Sequence, residues 1–267
     1  MERIISKFSA VTTFNLQKQS FGIEMIESFY LNWPDDVKLT SFIENADPIN
    51  DKLVKDKIII REFHKNIPKY QQFCEIYKEK KHLVDDFRFN VFRFAHKVYA
   101  IAAALKEIKT KYLIWLDADI KTHKKIPVSF LHSLVDDTCY LSYLGREHVS
   151  MKHLNYSECG FLIFNTEHFV HSQFWKDMME MYDNGKLFDE KEWHDSYIFD
   201  VVRKNLEMSA NIQNINITDM GLVDIKSEDH VFVASVLGKF MDHKKGNRKQ
   251  NKWSNELLLR IKEENKK

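Results

Sequence analysis

The run Lys111-Tyr112-Leu113-Ile114-Trp115-Leu116-Asp117-Ala118-Asp119-Ile120 decides how this chain is read. Apolar residues from Tyr112 to Leu116 lead into two carboxylates separated by one small residue. A continuous apolar run behind a helical pattern reads as a parallel strand buried on both faces. Ligands of such sheets bind beyond the carboxyl ends of the strands, where Asp117 and Asp119 fall. Alternation along an extended tip points both side chains the same way and turns Ala118 inward. Two carboxylates converging in a confined site repel unless a proton or a cation neutralises them. Oxygen ligands suit magnesium or manganese, above all when a substrate phosphate completes the shell. Read alone, Asp-x-Asp is equally well a strand end followed by an acidic turn.

Composition frames that choice. The 267 residues are 44% hydrophobic and 13% aromatic, with 20 Phe, 7 Gly and 4 Pro, enough for a substantial α/β core and too ordered for a disordered chain. A formal charge of +1 argues against a dedicated nucleic-acid binder. The charge is uneven, however. Residues 239–267 hold 10 Lys and Arg against 4 Asp and Glu, leaving 30 against 35 over residues 1–238. The end of the chain therefore reads as a basic segment on a mildly acidic body. Cys74, Cys139 and Cys159 show neither paired nor metal-ligand spacing, which points to a reducing compartment. With no 18-residue apolar stretch and no signal-peptide pattern, the expected location is cytoplasmic, peripheral at a membrane through the basic end.

Upstream of the acidic strand, Phe8 to Phe14 reads as a first strand, Phe21 to Asn32 as a helix, and Val37 to Ile43 as a second strand. Strand–helix–strand is how a parallel nucleotide-binding sheet begins, and the loop from Thr12 to Asn15 would lie beside a nucleotide. Asp47-Pro48 marks a turn, Lys57 to Ile60 a short strand, Tyr70 to Lys80 a helix, and Asp86 to Leu105 a long helix carrying Arg88, Arg93 and Lys97. That helix immediately precedes the acidic strand, so its charges reach the same site unless they form a solvated basic face. Downstream, the pattern predicts a helix over 126–135 and a strand over 139–144. Glu158-Cys159-Gly160-Phe161-Leu162-Ile163-Phe164-Asn165 is a further apolar strand whose glycine permits close backbone approach. Helices follow over 167–182 and from Glu192-Trp193-His194-Asp195-Ser196, where Asp195 is also a natural N-cap. Residues 212–218 and 230–236 read as strands.

Last comes Met241-Asp242-His243-Lys244-Lys245-Gly246-Asn247-Arg248-Lys249. Here a metal-capable imidazole, a permissive glycine and a cation share one loop. Imidazole added to two carboxylates favours manganese. The glycine lets backbone N–H groups approach a phosphate, and Lys249 neutralises its charge. Lys244, Lys245 and Lys252 read as solvated.

The ordered set resembles a family. Asp117-Ala118-Asp119, Lys97 in the preceding helix, Cys159-Gly160 to Phe164-Asn165, Trp193-His194-Asp195 and His243-x-x-Gly246-x-x-Lys249 occur as in GT-A nucleotide-sugar glycosyltransferases. The likeness is greatest to the retaining glycogenin and lipopolysaccharide galactosyltransferase type, and it covers about residues 8–253. Trp193-His194-Asp195 is similar to the Trp-His-Asp-Glu stretch of the retaining blood-group transferases, with Ser196 in place of the glutamate. The resemblance implies a single α/β GT-A domain over residues 1–238, with a Rossmann-like, mostly parallel sheet flanked by helices. Its nucleotide-binding half would cover about 1–120 and its acceptor half about 121–238. Residues 239–267 would complete the metal-diphosphate site.

The resemblance further implies a metal site of Asp117, Asp119 and His243 for Mn2+ or Mg2+. Donor contacts would come from Thr12, Thr13, Arg93, Lys97, Asp117, Ala118, Asp119, Cys159, Gly160, Gly246 and Lys249, with Asp195 and His194 at the reacting sugar. The implied reaction moves a sugar from a UDP-sugar to a glycan, lipid-linked or other hydroxyl acceptor with retention. If the enzyme inverts, Asp195 is the general base. Two other classes compete. A haloacid-type phosphatase would use Asp117 as nucleophile but usually carries the motif on its first strand. A non-catalytic module would bind a polyanion through the basic segment.

Overall fold

The computed structural model describes residues 6–17, 21–45, 55–82, 86–146, 156–223 and 230–265. The Asp47-Pro48 turn lies outside them. The opening follows the hydrophobic pattern: β1 (Phe8–Asn15), α1 (Phe21–Asn32) and β2 (Lys38–Glu44). Next come β3 (Ile58–Glu62), α2 (Phe63–Asn66) and α3 (Pro68–Ile76), the last with proline in its first turn, where a missing N–H costs nothing. The predicted helix from Asp86 divides into a 3-10 turn over Phe87–Phe89 and α4 (Val91–Glu107). Asn90 causes the break. Its side chain accepts from the Arg93 N–H and so caps a new helix.

β4 (Tyr112–Leu116) is the acidic strand, buried along its whole length. Tyr112, Ile114 and Leu116 enter one core cluster while Leu113 and Trp115 enter the other, so the strand is covered on both faces. Burial of each such side chain contributes about 1.5–3 kcal/mol. The chain continues through β5 (Ile120–Thr122), α5 (Val128–Ser133), β6 (Leu141–Leu144) and β7 (Glu158–Asn165). It ends with α6 (His171–Asp183), α7 (Asp195–Ala210), β8 (Ile215–Asn216), α8 (Val231–Ala234), β9 (Met241–His243) and α9 (Asn255–Glu264).

Among the described residues seven strands form one sheet in the order β3-β2-β1-β4-β7-β6-β8. β1, β2, β3 and β4 pair in parallel, β7 is antiparallel to both neighbours, and β6 pairs in parallel with β8. Among the described residues only β7 runs against the rest, so the expected mostly parallel sheet is present. The reversal has a consequence: β7 begins at the edge where β4 ends. Leu116 pairs with Phe161, and the Asp117 N–H donates to the Gly160 carbonyl at 2.9 Å. A separate ribbon pairs β5 with β9, setting Ile120 opposite His243.

Two expectations are corrected. Residues 230–236, read as a strand, form α8 and the start of a 3-10 turn over Val236–Lys239. Val231, Phe232, Val233 and Ala234 are all buried, and a short run covered on every side has no period that separates strand from helix. Most of 212–218 is likewise not strand: β8 has two residues and a 3-10 turn follows. The basic end also contains α9, which Ser254 caps by accepting from the Leu257 N–H and which buries Leu257 and Arg260.

Candidate active site

The ends of β1, β2 and β4, the start of α7 and the 3-10 turn over Gly246–Gln250 surround a cleft of about 710 Å³. Thr13, Arg93, Lys97, Asp117, Ala118, Asp119, Asp195 and Lys249 line it. Sequence positions spread over more than two hundred residues therefore converge.

Each acidic side chain has its own anchor. Trp115 Nε1 donates to Asp117 Oδ1 at 2.7 Å, and Lys97 Nζ stands 3.3 Å from the same oxygen. Lys249 Nζ lies 2.8 Å from Asp119 Oδ2, while His243 Nε2 lies 2.9 Å from Asp119 Oδ1 and 3.7 Å from Asp117 Oδ2. Burial disfavours the ionised form of Asp119, yet His243 and Lys249 outweigh it and hold the carboxyl well below the usual range.

Ligand atoms of Asp117, Asp119 and His243 lie within 4.8 Å of one another. His243 is fully buried, and neither ring nitrogen has an aligned hydrogen-bond partner despite the nearby carboxylates. A buried imidazole with unsatisfied nitrogens is costly on its own and natural as a ligand. Two carboxylates with one imidazole fit a divalent cation such as manganese or magnesium.

Behind the imidazole, Glu158 on β7 accepts from Arg146 Nη2 at 2.7 Å and Lys245 Nζ at 2.5 Å, and its Oε1 lies 3.6 Å from His243 Nδ1. Burial opposes its charge, but Lys245, His243 and Arg146 keep its carboxyl well below the ordinary glutamate range. Gly160 supplies clearance. A Cβ there would collide with His243 Cε1 and lie 2.8 Å from Nδ1. Gly246 serves differently: its φ of +56° is a left-handed turn that brings Lys249 back to Asp119.

Lys97 connects the cluster to α7. Its ammonium pairs with Asp117, with Asp195 Oδ2 at 2.8 Å, and with the Cys159 carbonyl. Burial would lower its pKa, but Asp117 and Asp195 hold it well above the ordinary lysine range. All three ammonium hydrogens are thus engaged within the protein.

Other predicted residues stand apart from the cleft. His194 is the N-cap of α7, accepting from the Tyr197 N–H, and its Nε2 lies 2.8 Å from Glu192; it is buried behind Asp195. Asp195 is the first helical residue rather than the cap. Thr12 is fully buried and does not line the cleft, because strand alternation turns it away from the side that Thr13 faces. Cys159 is buried and contributes its carbonyl. Lys244 and Lys245, read as solvated, are both engaged: Lys244 is buried against Glu24 and the Asn251 carbonyl, Lys245 pairs with Glu158. Sequence reasoning passed over Trp115, Glu158 and Glu44 as site residues. Glu158 carried the one usable signal, a carboxylate opening an apolar strand.

No protein-family model matches the chain, and no curated protein matches it. Solved structures do. Mouse xyloside xylosyltransferase 1 in its apo form superposes with a TM-score of 0.50 at 13% identity, covering 85% of this chain and 93% of that one. The glycosyltransferase GlyE of Streptococcus pneumoniae TIGR4 superposes at 0.50 and 12% identity, covering 95% of this chain and 59% of that one. The chain has a GT-A glycosyltransferase fold. Within that fold the acidic pair follows the fourth strand in sequence, not the first as in the haloacid type. Among the described residues no helix is long and apolar enough to cross a membrane.

Proposed function

We propose that the protein is a metal-dependent glycosyltransferase that moves a sugar from a UDP-sugar to a hydroxyl acceptor with retention. One observation carries this reading: Asp117 and Asp119, which line a nucleotide-sized cleft together with Asp195, converge with the buried His243 behind them. Asp117, Asp119 and His243 would hold manganese or magnesium. When bound, the cation supplies Lewis acidity to the departing nucleoside diphosphate. Lys249 brings a further positive charge to the same side of the cleft and compensates charge that develops on the leaving group.

Asp195 faces the sugar. Its carboxylate orients the ring and stabilises oxocarbenium character at the anomeric carbon. Lys97 fixes the separation of Asp195 from Asp117, so leaving-group and sugar contacts are set by one buried ammonium. Asp195 is held beside the sugar by its Oδ2, 2.8 Å from Lys97, and retention is the outcome we adopt for this arrangement. Leu258 and Leu259, exposed beside Lys262 on α9, would suit contact with an anionic membrane surface, and we read the acceptor as a glycan or lipid-linked hydroxyl.

The test is a panel of UDP-sugars with manganese, scored for UDP release and for a thermal shift. At least one donor should give both, and the glycoside product should keep the donor's anomeric configuration. Neither release nor stabilisation with any UDP-sugar would end the reading.

A further inference from the structure

α7 begins at Asp195, so the placement of that carboxylate depends on how the helix is started. Its cap is His194, an uncommon choice, since Ser, Thr, Asp and Asn are the usual capping residues. His194 Nδ1 lies 3.4 Å from the Tyr197 N–H, and the His194 carbonyl accepts from the Ile198 N–H at 3.2 Å. The other ring nitrogen, Nε2, lies 2.8 Å from Glu192 Oε2. Phe94 and Asp195 line the cleft, and the buried imidazole sits behind them. Tyr156 abuts the ring edge-on at 4.4 Å and Phe94 at 5.8 Å, so His194 is walled off from a ligand rather than offered to one.

One tautomer satisfies both contacts. The Tyr197 N–H can only donate, so Nδ1 must carry the lone pair and the ring proton must sit on Nε2, where the Glu192 carboxylate accepts it. Glu192 is itself held: its Oε1 lies 3.7 Å from Arg88 Nη1, and Arg88 Nη2 donates to Asp86 at 2.6 Å. A second proton on the imidazole removes the cap, because an Nδ1–H would oppose the Tyr197 N–H. The first turn of α7 would then hold an orphan donor, and Asp195 lies in that turn. The charged and titratable groups around the ring are Glu192 ahead of the helix, Asp86 and Arg88 at the 3-10 turn, Tyr156 ahead of β7, and Asp195 and Tyr197 on α7 itself. α4 turns Phe94 to the ring and sends Lys97 to Asp195.

We infer that His194 is a positioning residue for the transfer step: held in its Nε2–H tautomer by Glu192, it caps α7 and so fixes the Asp195 carboxylate against the sugar. Asp195 faces the donor sugar by the reading above, on which this inference rests. Lys97 ties the same carboxylate through its side chain, and the cap supplies the backbone half of the constraint. A misplacement of about 1 Å at a reacting centre costs roughly 100-fold in rate. The diphosphate contacts at Asp117, Asp119 and Lys249 belong to other elements and should stay in place.

Two substitutions separate the ring nitrogens. Asparagine sets its Oδ1 where the imidazole has Nδ1 and accepts at every pH. Glutamine sets its amide where the ring has Nε2 and leaves the Tyr197 N–H without a partner. The experiment compares wild type, His194→Asn and His194→Gln with manganese and the UDP-sugar that the panel above selects. UDP release at saturating donor is followed from pH 7.5 to 5.5, and UDP affinity is measured by calorimetry. At pH 7.5, His194→Asn should keep kcat within about threefold and His194→Gln should lose roughly 10–100-fold, with UDP affinity within about twofold in both. On acidification wild type should lose kcat more steeply than His194→Asn, because any loss arising at the metal cluster is common to both. Glu192→Gln, whose amide accepts either tautomer, should lower kcat in the wild-type background and have no further effect on His194→Asn. Equal kcat values in His194→Asn and His194→Gln overturn the inference, as does a fall in kcat matched by an equal fall in UDP affinity. If position 194 tolerates no substitution, Glu192→Gln alone decides, and an unchanged kcat and pH profile overturns the inference. Each of these outcomes leaves the donor reading intact. Failure of every UDP-sugar to react with wild type defeats that reading, and this inference with it.

Discussion

Asp117 and His243 face one another across the same cluster, but different kinds of structure carry them. Asp117 is the first residue beyond β4, a strand bonded to β1 and β7 and buried on both faces. His243 ends a three-residue strand whose partner, β5, is also three residues long. Its position depends on polar ties: Ser254 N–H and Oγ to Asp242, His230 Nε2 to the His243 carbonyl at 2.6 Å, and Lys244 to Glu24. Burial of apolar area holds one side of the cluster. On the other side the ribbon's Ile120 and Met241 are buried too, and individual hydrogen bonds of about 1 kcal/mol each set the position of His243. Changes on the sheet side should therefore cost stability and spare metal affinity in the molecules that remain folded. Changes on the ribbon side should lower metal affinity at a smaller cost in stability.

The largest expected effect tests the cluster itself. Asp119→Asn should lower turnover by roughly 10³-fold or more, since metal and leaving-group stabilisation go together. Its melting temperature without metal should fall as well, because His243 and Lys249, which hold the Asp119 carboxyl below its usual range, lose their ionised partner. Near-normal turnover in metal-free buffer would break the account of both sides at once.

Glu158 joins the two sides, being rooted in β7 and bonded to Lys245 beyond β9. Glu158→Gln leaves Arg146 buried beside a neutral partner and should cost about 3–5 kcal/mol at neutral pH. The pH dependence has a definite sign. The folded-state carboxyl is held below its ordinary value, so its stabilisation is present above about pH 4.3 and is lost as pH falls toward the folded value. Denaturant melts from pH 7 to 3 should show wild type losing stability more steeply than Glu158→Gln. Parallel slopes would remove the ionised glutamate from the network.

Leu113→Ala probes the sheet side alone. Leu113 is fully buried in β4, and truncation there costs about 2–5 kcal/mol. Manganese affinity measured below the melting transition should stay within about twofold of wild type, since the backbone bond from Asp117 to Gly160 is kept. Gly160→Ala is its counterpart. The added methyl would push the His243 ring aside, and displacing a ligand's support typically lowers metal affinity by roughly 10–100-fold. Calorimetry with manganese on both variants checks the contrast, and equal metal affinities would show that the imidazole is not a ligand.

The same contrast explains what could be read from sequence. β1, α1, β4 and β7 follow their periodicity closely because each is a long run whose burial is uniform or alternates. Asp117 and Asp119 were legible because a strand end ties position in sequence to position in the cleft. The ribbon was not. Three-residue strands carry no period, and pairing of Ile120 with His243 joins residues more than a hundred apart. α9 was hidden for another reason: it lies in a stretch read only for its basic charge, although Ser254 three residues before Leu257 is a helix-start signal. Lys97 shows a third limit. Its helix could be placed, but its joint pairing with Asp117 and Asp195 depends on how α4 and α7 pack together.

Ser254 gives the smallest expected effect and the finest test. Its hydroxyl accepts from the Leu257 N–H at 3.1 Å, capping α9, and donates to Asp242 Oδ1 at 2.6 Å. Ser254→Ala removes both, while its own N–H still reaches Asp242 Oδ2 at 2.7 Å. Loss of an N-cap costs about 1 kcal/mol. Asp242 precedes His243 and pairs with Lys121 in the ribbon, so release of its carboxylate should also loosen the imidazole. The expected outcome is a stability loss of about 1–2 kcal/mol in denaturant melts with a manganese affinity lowered by roughly two- to fivefold. Ser254→Thr, which keeps the hydroxyl, should restore most of both. A stability loss of that size with unchanged metal affinity, and with the threonine variant restoring stability alone, would show that α9 is capped independently of the site. The ribbon would then hold His243 through His230 and Lys244 instead.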